Sequence, residues 1–232
     1  MPRRLFRLLP QSVRARLYRI VADQVEYYEM KNAEAIEASL PHVELSARHI
    51  RNLQILTDRD ALLSVLPHHS TVAEAGVAQG DFSERILSVA NPRVLHLIDS
   101  WSDVRYRDLK DSVERRFENE IRSGQVAIHE GLSTSELNKF EPGYFDWVYI
   151  DTSHDYKTTK LELEICRDKV KRNGIIAGHD YVKGSWAKRL RYGVIEAVHE
   201  FCIKYDWEMI YLTHESDRHL TFGIRQLPGQ AV

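Results

Sequence analysis

Apolar and polar positions alternate in blocks along most of the chain. Short apolar runs, typical of buried strands, are separated by longer stretches with helical spacing. The strands are predicted at 71–75, 94–98, 126–130, 145–150, 174–177, 208–212 and 220–225, and helices near 82–90, 103–122, 134–140, 156–171 and 192–204. This order predicts an α/β fold with a doubly wound, mostly parallel sheet. The last two strands can form a hairpin, which would make the final strand antiparallel to the rest.

The segment before the first strand has a different pattern. Polar helical regions are predicted at 23–40 and 47–66, and Thr57 and Asp60 mark a helix start within the second. The sequence therefore divides into an N-terminal helical extension, residues 1–45, and a single α/β domain, residues 46–232.

Residues 1–20 are basic and amphipathic. Apolar residues recur there at roughly helical spacing, and the first acidic residue is Asp23. The segment lacks the apolar core of a signal peptide, and none of its apolar stretches is long enough to span a bilayer. Two interpretations stay open: a helix docked on its own domain with solvated arginines, or a peripheral contact with an anionic membrane at the inner face. The basic residues of this segment are Arg3, Arg4, Arg7, Arg14, Arg16 and Arg19.

Composition agrees with a compact cytoplasmic enzyme. The chain has 232 residues, of which 43% are hydrophobic, enough to fill the core of one domain. The 32 basic residues nearly balance the 34 acidic ones, so nucleic acid is not an expected partner. Cys166 and Cys202 fall on predicted helices within apolar patterns, which favours buried free thiols and a reducing compartment. A homo-oligomer is neither required nor excluded.

The first predicted strand ends in a glycine-containing loop. Glu74 closes the apolar run, and Gly76 and Gly80 follow with the spacing Gly-x-x-x-Gly. Glycines allow a sharp turn and a close approach to a ligand. The dinucleotide fingerprint needs a middle glycine that is absent, which favours a nucleoside ligand without a pyrophosphate. Asp81 and Glu84 fit a capping box at the next helix start. An ordinary strand-to-helix turn is the alternative interpretation.

A second acidic residue strengthens the ligand interpretation. Asp99 closes the next apolar run, at the distance where such folds place an acid for ribose hydroxyls. Here the chain resembles class I S-adenosylmethionine-dependent methyltransferases, which have a Rossmann-like sheet with an antiparallel last strand. The resemblance implies that S-adenosyl-L-methionine is the cofactor. The candidate cofactor-binding residues are Glu74, Gly76, Gly80, Phe82, Asp99, Ser100, Trp101, Ser133 and Asp151.

Polar residues also follow two later strands. Asp151 and His154 come after the strand at 145–150, and His179 and Asp180 come after the strand at 174–177. Carboxyl ends of neighbouring parallel strands meet at one edge, so these side chains should share a cleft. Oxygen and imidazole groups together can hold a divalent cation. Each residue also has a structural alternative, as a turn cap, a hydrogen-bonded histidine or a local charge pair.

These motifs narrow the resemblance to methyltransferase family 24. Over about residues 46–225 the chain is similar to relatives of the sugar O-methyltransferases of macrolide and aminocoumarin biosynthesis. The sequence Gly178-His179-Asp180-Tyr181 is one of the motifs that carry this similarity. The resemblance implies Mg²⁺ bound by Asp151, His179 and Asp180 beside the acceptor hydroxyls. His179 departs from the family pattern, which has an aspartate there, and imidazole is a poorer ligand than carboxylate for a hard cation.

The expected function is therefore O-methylation of a sugar, a glycan or another hydroxylated small molecule. Asp151 is the expected catalytic residue, and His154 is a second candidate base because its ordinary pKa, ~6.5, suits neutral pH. A divalent cation can assist by lowering the pKa of the acceptor hydroxyl. Two alternatives remain: a metal-dependent hydrolase that uses the same cluster, and a non-catalytic, membrane-associated binding module.

Overall fold

The computed structural model describes residues 9–104, 106–185, 190–215 and 219–228. The chain divides into two compact units. One comprises residues 1–40 and 185–191, and the other comprises residues 41–184 and 192–232. The boundary near residue 40 lies close to the predicted start of the α/β domain, although the predicted division itself stays a prediction.

The first unit is built on helix α1, Gln11–Ser39. The helix follows Pro10, whose carbonyl accepts the first helical hydrogen bond, from Arg14, at 3.0 Å. None of its residues is buried. Near its end the Glu37 carboxylate accepts a hydrogen bond from the Arg191 guanidinium at 2.5 Å. No helix in the described ranges is both long and apolar enough to cross a membrane. The predicted helix at 23–40 is confirmed and begins earlier than expected.

The second unit alternates strands and helices in the predicted order. Its strands, with the two short strands β7 and β8 of the intervening segment, are β1 (Gln54–Leu56), β2 (Thr71–Ala75), β3 (Val94–Asp99), β4 (Val126–Glu130), β5 (Phe145–Ile150), β6 (Val170–Gly178), β7 (Gly184–Ser185), β8 (Leu190–Arg191), β9 (Trp207–Thr213) and β10 (Phe222–Gln226). Its helices are α2 (Arg59–Val65), α3 (Asp81–Arg85, continued by a π-helical turn at Ile86–Ala90), α4 (Lys110–Arg116), α5 (Glu118–Ser123), α6 (Ser133–Asn138), α7 (Tyr156–Lys169) and α8 (Val194–Tyr205).

Eight strands form one sheet in the order β1-β9-β10-β6-β5-β2-β3-β4. Strand β10 is antiparallel to both of its neighbours, whereas the pairs β2–β3, β2–β5, β3–β4 and β5–β6 are parallel. The Rossmann-like sheet with an antiparallel last strand is thereby confirmed. Chain order reverses between β2 and β5, the position where ligands bind in open α/β sheets.

The helical region predicted at 47–66 is only partly helical, whereas the helix start that Thr57 and Asp60 mark is confirmed. That stretch contains a 3₁₀ turn at Ala47–His49, the edge strand β1 and helix α2. The helix starts after Asp58, whose carboxylate accepts a hydrogen bond from the backbone N–H of Ala61 at 2.8 Å. Asp58 therefore fills the N-cap role that the sequence suggested for Thr57 or Asp60.

Two apolar layers cover the faces of the sheet. Trp147 and Tyr149 point into one layer and Val148 into the other, as strand alternation requires. The Trp147 indole is fully buried and donates a hydrogen bond to the carbonyl of Pro67 at 3.1 Å, so its removal should cost roughly 3–5 kcal/mol. Cys166 and Cys202 are free and buried, which confirms the predicted thiols.

Candidate active site

The carboxyl edge of the sheet gathers the predicted site residues. Gly76 follows β2, Asp99 ends β3, and Asp151 and His179 follow β5 and β6. Backbone hydrogen bonds carry the sheet pairing up to these residues: Asp151 donates to Ala75 at 2.7 Å, and His179 donates to Ile150 at 2.9 Å. Residues that are far apart in sequence therefore lie side by side at the point where strand order reverses.

The two loop glycines are required by contacts within the protein. Both have a positive φ, +91° for Gly76 and +84° for Gly80. A Cβ at Gly76 would lie 1.9 Å from the backbone oxygen of Asp151, and a Cβ at Gly80 would lie 2.8 Å from the Phe117 ring. The Gly-x-x-x-Gly spacing predicts that these glycines admit a ligand. The structure shows a different immediate reason, which is that the loop packs against β5 and against the helices beyond it.

Asp99 organises the same loop. Its Oδ2 accepts hydrogen bonds from the backbone N–H groups of Val77 and Ala78 at 2.8 and 2.9 Å, and its Oδ1 accepts one from Trp101 at 2.8 Å. The Trp101 indole donates to the Ala78 carbonyl at 2.9 Å and is 3% exposed. The contacts that Asp99 and Trp101 make are thus with the loop, and their contacts with the cofactor stay predictions.

Glu74 and Phe82 lie at the base of the loop. Glu74 is buried, and burial raises the pKa of its carboxyl group to about 8, against the lowering effect of a hydrogen bond from Ser83. The Ser83 hydroxyl donates to Glu74 at 2.5 Å. Phe82 packs on Tyr149, with ring centroids 4.3 Å apart. Glu74 is therefore mainly protonated at neutral pH, and it carries no full charge under the loop.

The expected Asp81–Glu84 capping box is wrong. The residue before helix α3 is Gly80, and no side chain caps the helix. Arg116 instead binds both acids, Asp81 at 2.6 Å and Glu84 at 2.5 Å. A long-range arginine has replaced the local interaction that the spacing suggested.

Asp151, His154 and Asp180 form a compact cluster. The Nε2 atom of His154 lies 3.0 Å from Oδ2 of Asp180. Each of the three residues has a potential ligand atom that lies within 4.8 Å of those of the other two. His154 and Asp180 have φ values of +61° and +58°, which are uncommon for residues with a side chain. Backbone strain of this kind persists only where the surrounding structure enforces it.

The geometry changes the predicted metal set. Two carboxylates and one imidazole could hold a divalent cation, and the imidazole in that set is His154. The Nδ1 atom of His179 lies 3.6 Å from both Asp151 and Asp180, and its Nε2 atom is buried without a hydrogen-bond partner. His179 therefore fits better as a charged neighbour of the two carboxylates than as the third ligand.

The charges of the cluster are strongly coupled. Burial raises the pKa of Asp151, while the neighbouring His179 and His154 act in the opposite direction. Burial also opposes ionisation of Asp180, but hydrogen bonds and charge from the surrounding histidines hold its pKa well below the usual range. Burial lowers the pKa of His179, but the carboxylates of Asp151 and Asp180 outweigh this effect and give a net rise. Asp180 is thus a fixed anion, and Asp151 is the stronger base.

The chain is similar in sequence and in fold to known methyltransferases. Residues 73–181 match the family 24 model described as a methyltransferase domain, which spans the glycine loop and the Asp/His cluster. A SAM-dependent methyltransferase from Aquifex aeolicus aligns at TM-score 0.54 and 13% identity, over 83% of this chain and 97% of that one. SMU.1697c from Streptococcus mutans, solved in complex with SAH, aligns at TM-score 0.52 and 15% identity, over 72% and 93% of the two chains.

The chain carries an S-adenosylmethionine-dependent methyltransferase domain. The pyocyanin biosynthetic protein PhzM has the same fold at TM-score 0.54 and 11% identity, but the 69% of this chain that aligns spans only 51% of that protein. No curated protein sequence gives a significant match. At these identities the structural likeness shows the fold of the methyltransferase domain and leaves its acceptor undefined.

Ser133 is linked through Glu162 to Thr152, which follows Asp151. Ser133 is the first residue of α6, and Leu132 occupies the N-cap position without a side-chain cap. The Ser133 hydroxyl donates to Glu162 at 2.5 Å, and the Thr152 hydroxyl donates to the same carboxyl group at 2.9 Å. Burial raises the pKa of Glu162 to about 7. Ser100 contacts the hydroxyl of Ser102 at 2.8 Å.

Two residues beside the candidate site were not predicted from the sequence. Arg59, at the start of α2, places its guanidinium carbon 4.8 Å from the centroid of the Phe82 ring. His219 hydrogen-bonds through Nδ1 to Asp180. Neither residue follows one of the strands that mark the site edge, so strand-end patterns gave no signal for them.

Proposed function

We propose that the enzyme transfers the methyl group of S-adenosylmethionine to a hydroxyl oxygen of a small hydroxylated acceptor, with a sugar as the preferred class. The observation that carries this proposal is the contact between the glycine loop and Asp151, with His154 and Asp180 beside it. A donor bound at the loop and an acceptor bound at the cluster would then meet at Asp151. The resemblance to sugar O-methyltransferases supports the acceptor class.

Methyl transfer makes modest chemical demands on the protein. The acceptor oxygen attacks the methyl carbon in line as the carbon–sulfur bond breaks, and S-adenosylhomocysteine leaves. The sulfonium already activates the methyl group, so the site must align the acceptor and remove its proton. The raised pKa of Asp151 suits a general base at neutral pH. Its carboxylate would accept the hydroxyl proton as the new carbon–oxygen bond forms.

His154 is the alternative base. Because its Nε2 faces the Asp180 carboxylate at 3.0 Å, the proton of a neutral ring belongs on that nitrogen. Nδ1 is then the basic nitrogen. A base that is oriented by a carboxylate is a recurrent arrangement in catalysis. In this scheme Asp180 is a positioning residue, because it acts through His154.

Asp151, His154 and Asp180 would also be the ligands of a divalent cation, if one takes part. Their mixed oxygen and nitrogen donors fit Mg²⁺ less well than a pure carboxylate set and are compatible with Mn²⁺ or other transition metals. When bound, such an ion would lower the pKa of an acceptor hydroxyl. The three side chains would hold the acceptor in the same place with or without it.

Ligand identification tests the proposal directly. Denaturing mass spectrometry of the purified protein should detect copurified S-adenosylhomocysteine, and calorimetry should show binding of both the donor and this product. Incubation with labelled donor and a panel of sugars, nucleotide sugars and phenols should transfer label to a sugar hydroxyl. Transfer to phenols alone, or to nitrogen acceptors alone, would reject the sugar assignment while keeping the methyl donor. A metal-dependent hydrolysis without donor binding would favour the hydrolase alternative.

We also propose that helix α1 attaches the enzyme peripherally to an anionic membrane surface in the cytoplasm. Val13, Leu17, Ile20 and Val21 are spaced i, i+4, i+7 and i+8 and are 36–60% exposed. No acidic residue occurs between Gln11 and Ala22, and the first acid of the helix is Asp23. Anionic lipid complements this surface. The part of the predicted segment at residues 1–8 lies outside the described residues.

A further inference from the structure

Arg59 is held over the base of the glycine loop, which contains Gly76 and Gly80 and is the proposed site of the methyl donor. The residue begins helix α2 after the Asp58 cap and is partly buried. Its guanidinium carbon is 4.8 Å from the centroid of the Phe82 ring, and Phe82 in turn packs on Tyr149. Stacking on an aromatic face fixes a guanidinium in direction while its N–H donors stay available. The side chain is thus preorganised at the base of the loop.

The charge of Arg59 is not neutralised by a close contact. Within the ranges that the structure describes, no carboxylate lies within the 4.0 Å of an ion pair, in contrast to Arg85 and Arg116 nearby, which are both paired with acids. Burial lowers the pKa of Arg59, but the neighbouring Tyr149 hydroxyl, which is neutral, and the more distant carboxylates of Asp151 and Glu215 give a net rise. A partly buried guanidinium without a close anion is costly unless a ligand supplies one.

The methyl donor carries one anionic group that suits this position. S-adenosylmethionine consists of an adenosine, a sulfonium and an amino-acid end whose carboxylate is its only negative charge. The predicted adenosine contacts lie at Asp99 and Ser133, on the β3 and β4 side of the loop. Phe82, on which Arg59 stacks, belongs to α3, and Tyr149, on which Phe82 packs, belongs to β5. The amino-acid end would therefore extend toward Arg59.

We propose that Arg59 binds the α-carboxylate of the methyl donor and is the residue by which the site distinguishes an intact amino-acid end from a truncated one. The inference rests on the proposed binding of S-adenosylmethionine at the glycine loop. Two parallel N–H···O bonds from a guanidinium to a carboxylate give both affinity and orientation. The sulfonium would then be fixed from two sides, by the adenosine contacts and by Arg59.

The experiment compares ligands that differ at the carboxylate. Arg59→Met keeps the side-chain length and removes the charge and the donors. Calorimetry would measure the binding of S-adenosylhomocysteine and of 5′-deoxy-5′-methylthioadenosine, which lacks the amino-acid end. We expect Arg59→Met to weaken the first ligand about 10- to 100-fold and the second less than about twofold, from the usual contribution of hydrogen bonds between charged groups. Arg59→Lys should lie between the two.

Two control variants separate the causes of a change. Arg85→Met removes an arginine that is already paired with Asp60 and should alter neither affinity. Asp99→Asn should weaken both ligands, because both contain the adenosine. Equal loss of both ligands in Arg59→Met would assign Arg59 to loop structure and overturn the inference, as would unchanged binding of S-adenosylhomocysteine. If the wild type binds neither ligand, the proposed donor site is itself wrong and the Arg59 inference is rejected with it.

Discussion

Gly76 lies directly against the backbone carbonyl of Asp151. A Cβ on Gly76 would stand 1.9 Å from that oxygen, well inside van der Waals contact. The last hydrogen bond between β2 and β5, from Asp151 to Ala75 at 2.7 Å, holds the two residues together. The glycine loop and the candidate base are consequently in direct backbone contact at the reversal of strand order. A substitution of either residue should therefore alter the binding of both the proposed methyl donor and the proposed acceptor.

Replacement of Gly76 by alanine tests this coupling. The variant must strain a backbone at φ +91° and displace the Asp151 carbonyl, whereas Gly124→Ala strains a backbone at φ +80° with nothing within 4 Å. We expect Gly124→Ala to lose about 1–2 kcal/mol of stability and Gly76→Ala distinctly more. Urea unfolding would measure both. Equal destabilisation would show that the contact with Asp151 relaxes without cost.

Asp99→Asn tests the organisation of the loop. The aspartate accepts three backbone hydrogen bonds, and an amide keeps only one acceptor oxygen. Donor affinity should fall by ~1.5–3 kcal/mol, and amide hydrogen exchange at Val77 and Ala78 should accelerate. Ser102→Ala, on the exposed loop beyond, should change neither measurement. Loss of affinity without faster exchange would indicate a direct ligand contact and a loop that is stable without Asp99.

The sequence predicted the parallel strands well because each is an uninterrupted apolar run with a polar residue at its carboxyl end. Asp99 and Asp151 were found in this way. Strand β1, Gln54–Leu56, was missed because an edge strand of three residues has too few positions for a period to appear. The Asp81–Glu84 box failed because Arg116, 32 residues beyond Glu84, binds both acids. Local spacing cannot report a contact made by tertiary packing.

Within the cluster, residue types were easier to predict than roles. The expectation that Asp151, His154, His179 and Asp180 would meet in one cleft followed from strand ends alone, and the structure brings them together. Which histidine faces the carboxylates depends on the left-handed backbone at His154, which no residue pattern specifies. His219 reaches Asp180 from the loop before β10, and loop positions are set by packing instead of by periodicity.

Asp151→Asn should abolish most turnover and leave donor binding nearly intact. Loss of a general base typically lowers the rate 10²- to 10⁴-fold, about 3–5 kcal/mol of transition-state stabilisation. Single-turnover kinetics and calorimetry would measure the two effects separately, with the exposed Asp168→Asn as the charge-matched control. Turnover within a factor of two of wild type would exclude Asp151 as the base and direct attention to His154.

A chelator distinguishes metal-assisted from metal-free proton removal. If Asp151, His154 and Asp180 hold an ion, removal of the ion should reduce turnover, and Mn²⁺ or Mg²⁺ should restore it. Asp180→Asn should then weaken metal binding, which isothermal titration with the ion alone would detect. Full activity after chelation, with no heat of metal binding, would leave a metal-free base as the mechanism.

Glu74 should make stability depend on pH. Burial raises the pKa of its carboxyl group to about 8 in the folded protein, above the ~4.3 of an unfolded glutamate. The contribution is therefore fully present below pH ~4.3 and is lost as pH rises through 8, with a slope of at most ~1.4 kcal/mol per pH unit. Urea unfolding between pH 6 and 9 should show this decline, and Glu74→Gln, which cannot ionise, should flatten it. Parallel curves for both proteins would show that Glu74 is already ionised in the folded state.

The apolar face of α1 gives the last prediction. Leu17→Glu places a charge within the stripe formed by Val13, Leu17, Ile20 and Val21, whereas Ala22→Glu adds the same charge on the opposite side of the helix. At low salt the wild type and Ala22→Glu should sediment with phosphatidylserine vesicles, and Leu17→Glu should remain in the supernatant. High salt should release the wild type and Ala22→Glu from the vesicles, because screening shortens the range over which the basic side chains attract the lipid. Equal sedimentation of the two variants would show that charge alone causes vesicle binding. A molar mass that rises with protein concentration, and that only Leu17→Glu keeps at the monomer value, would assign the apolar face to contact with a second copy of the chain.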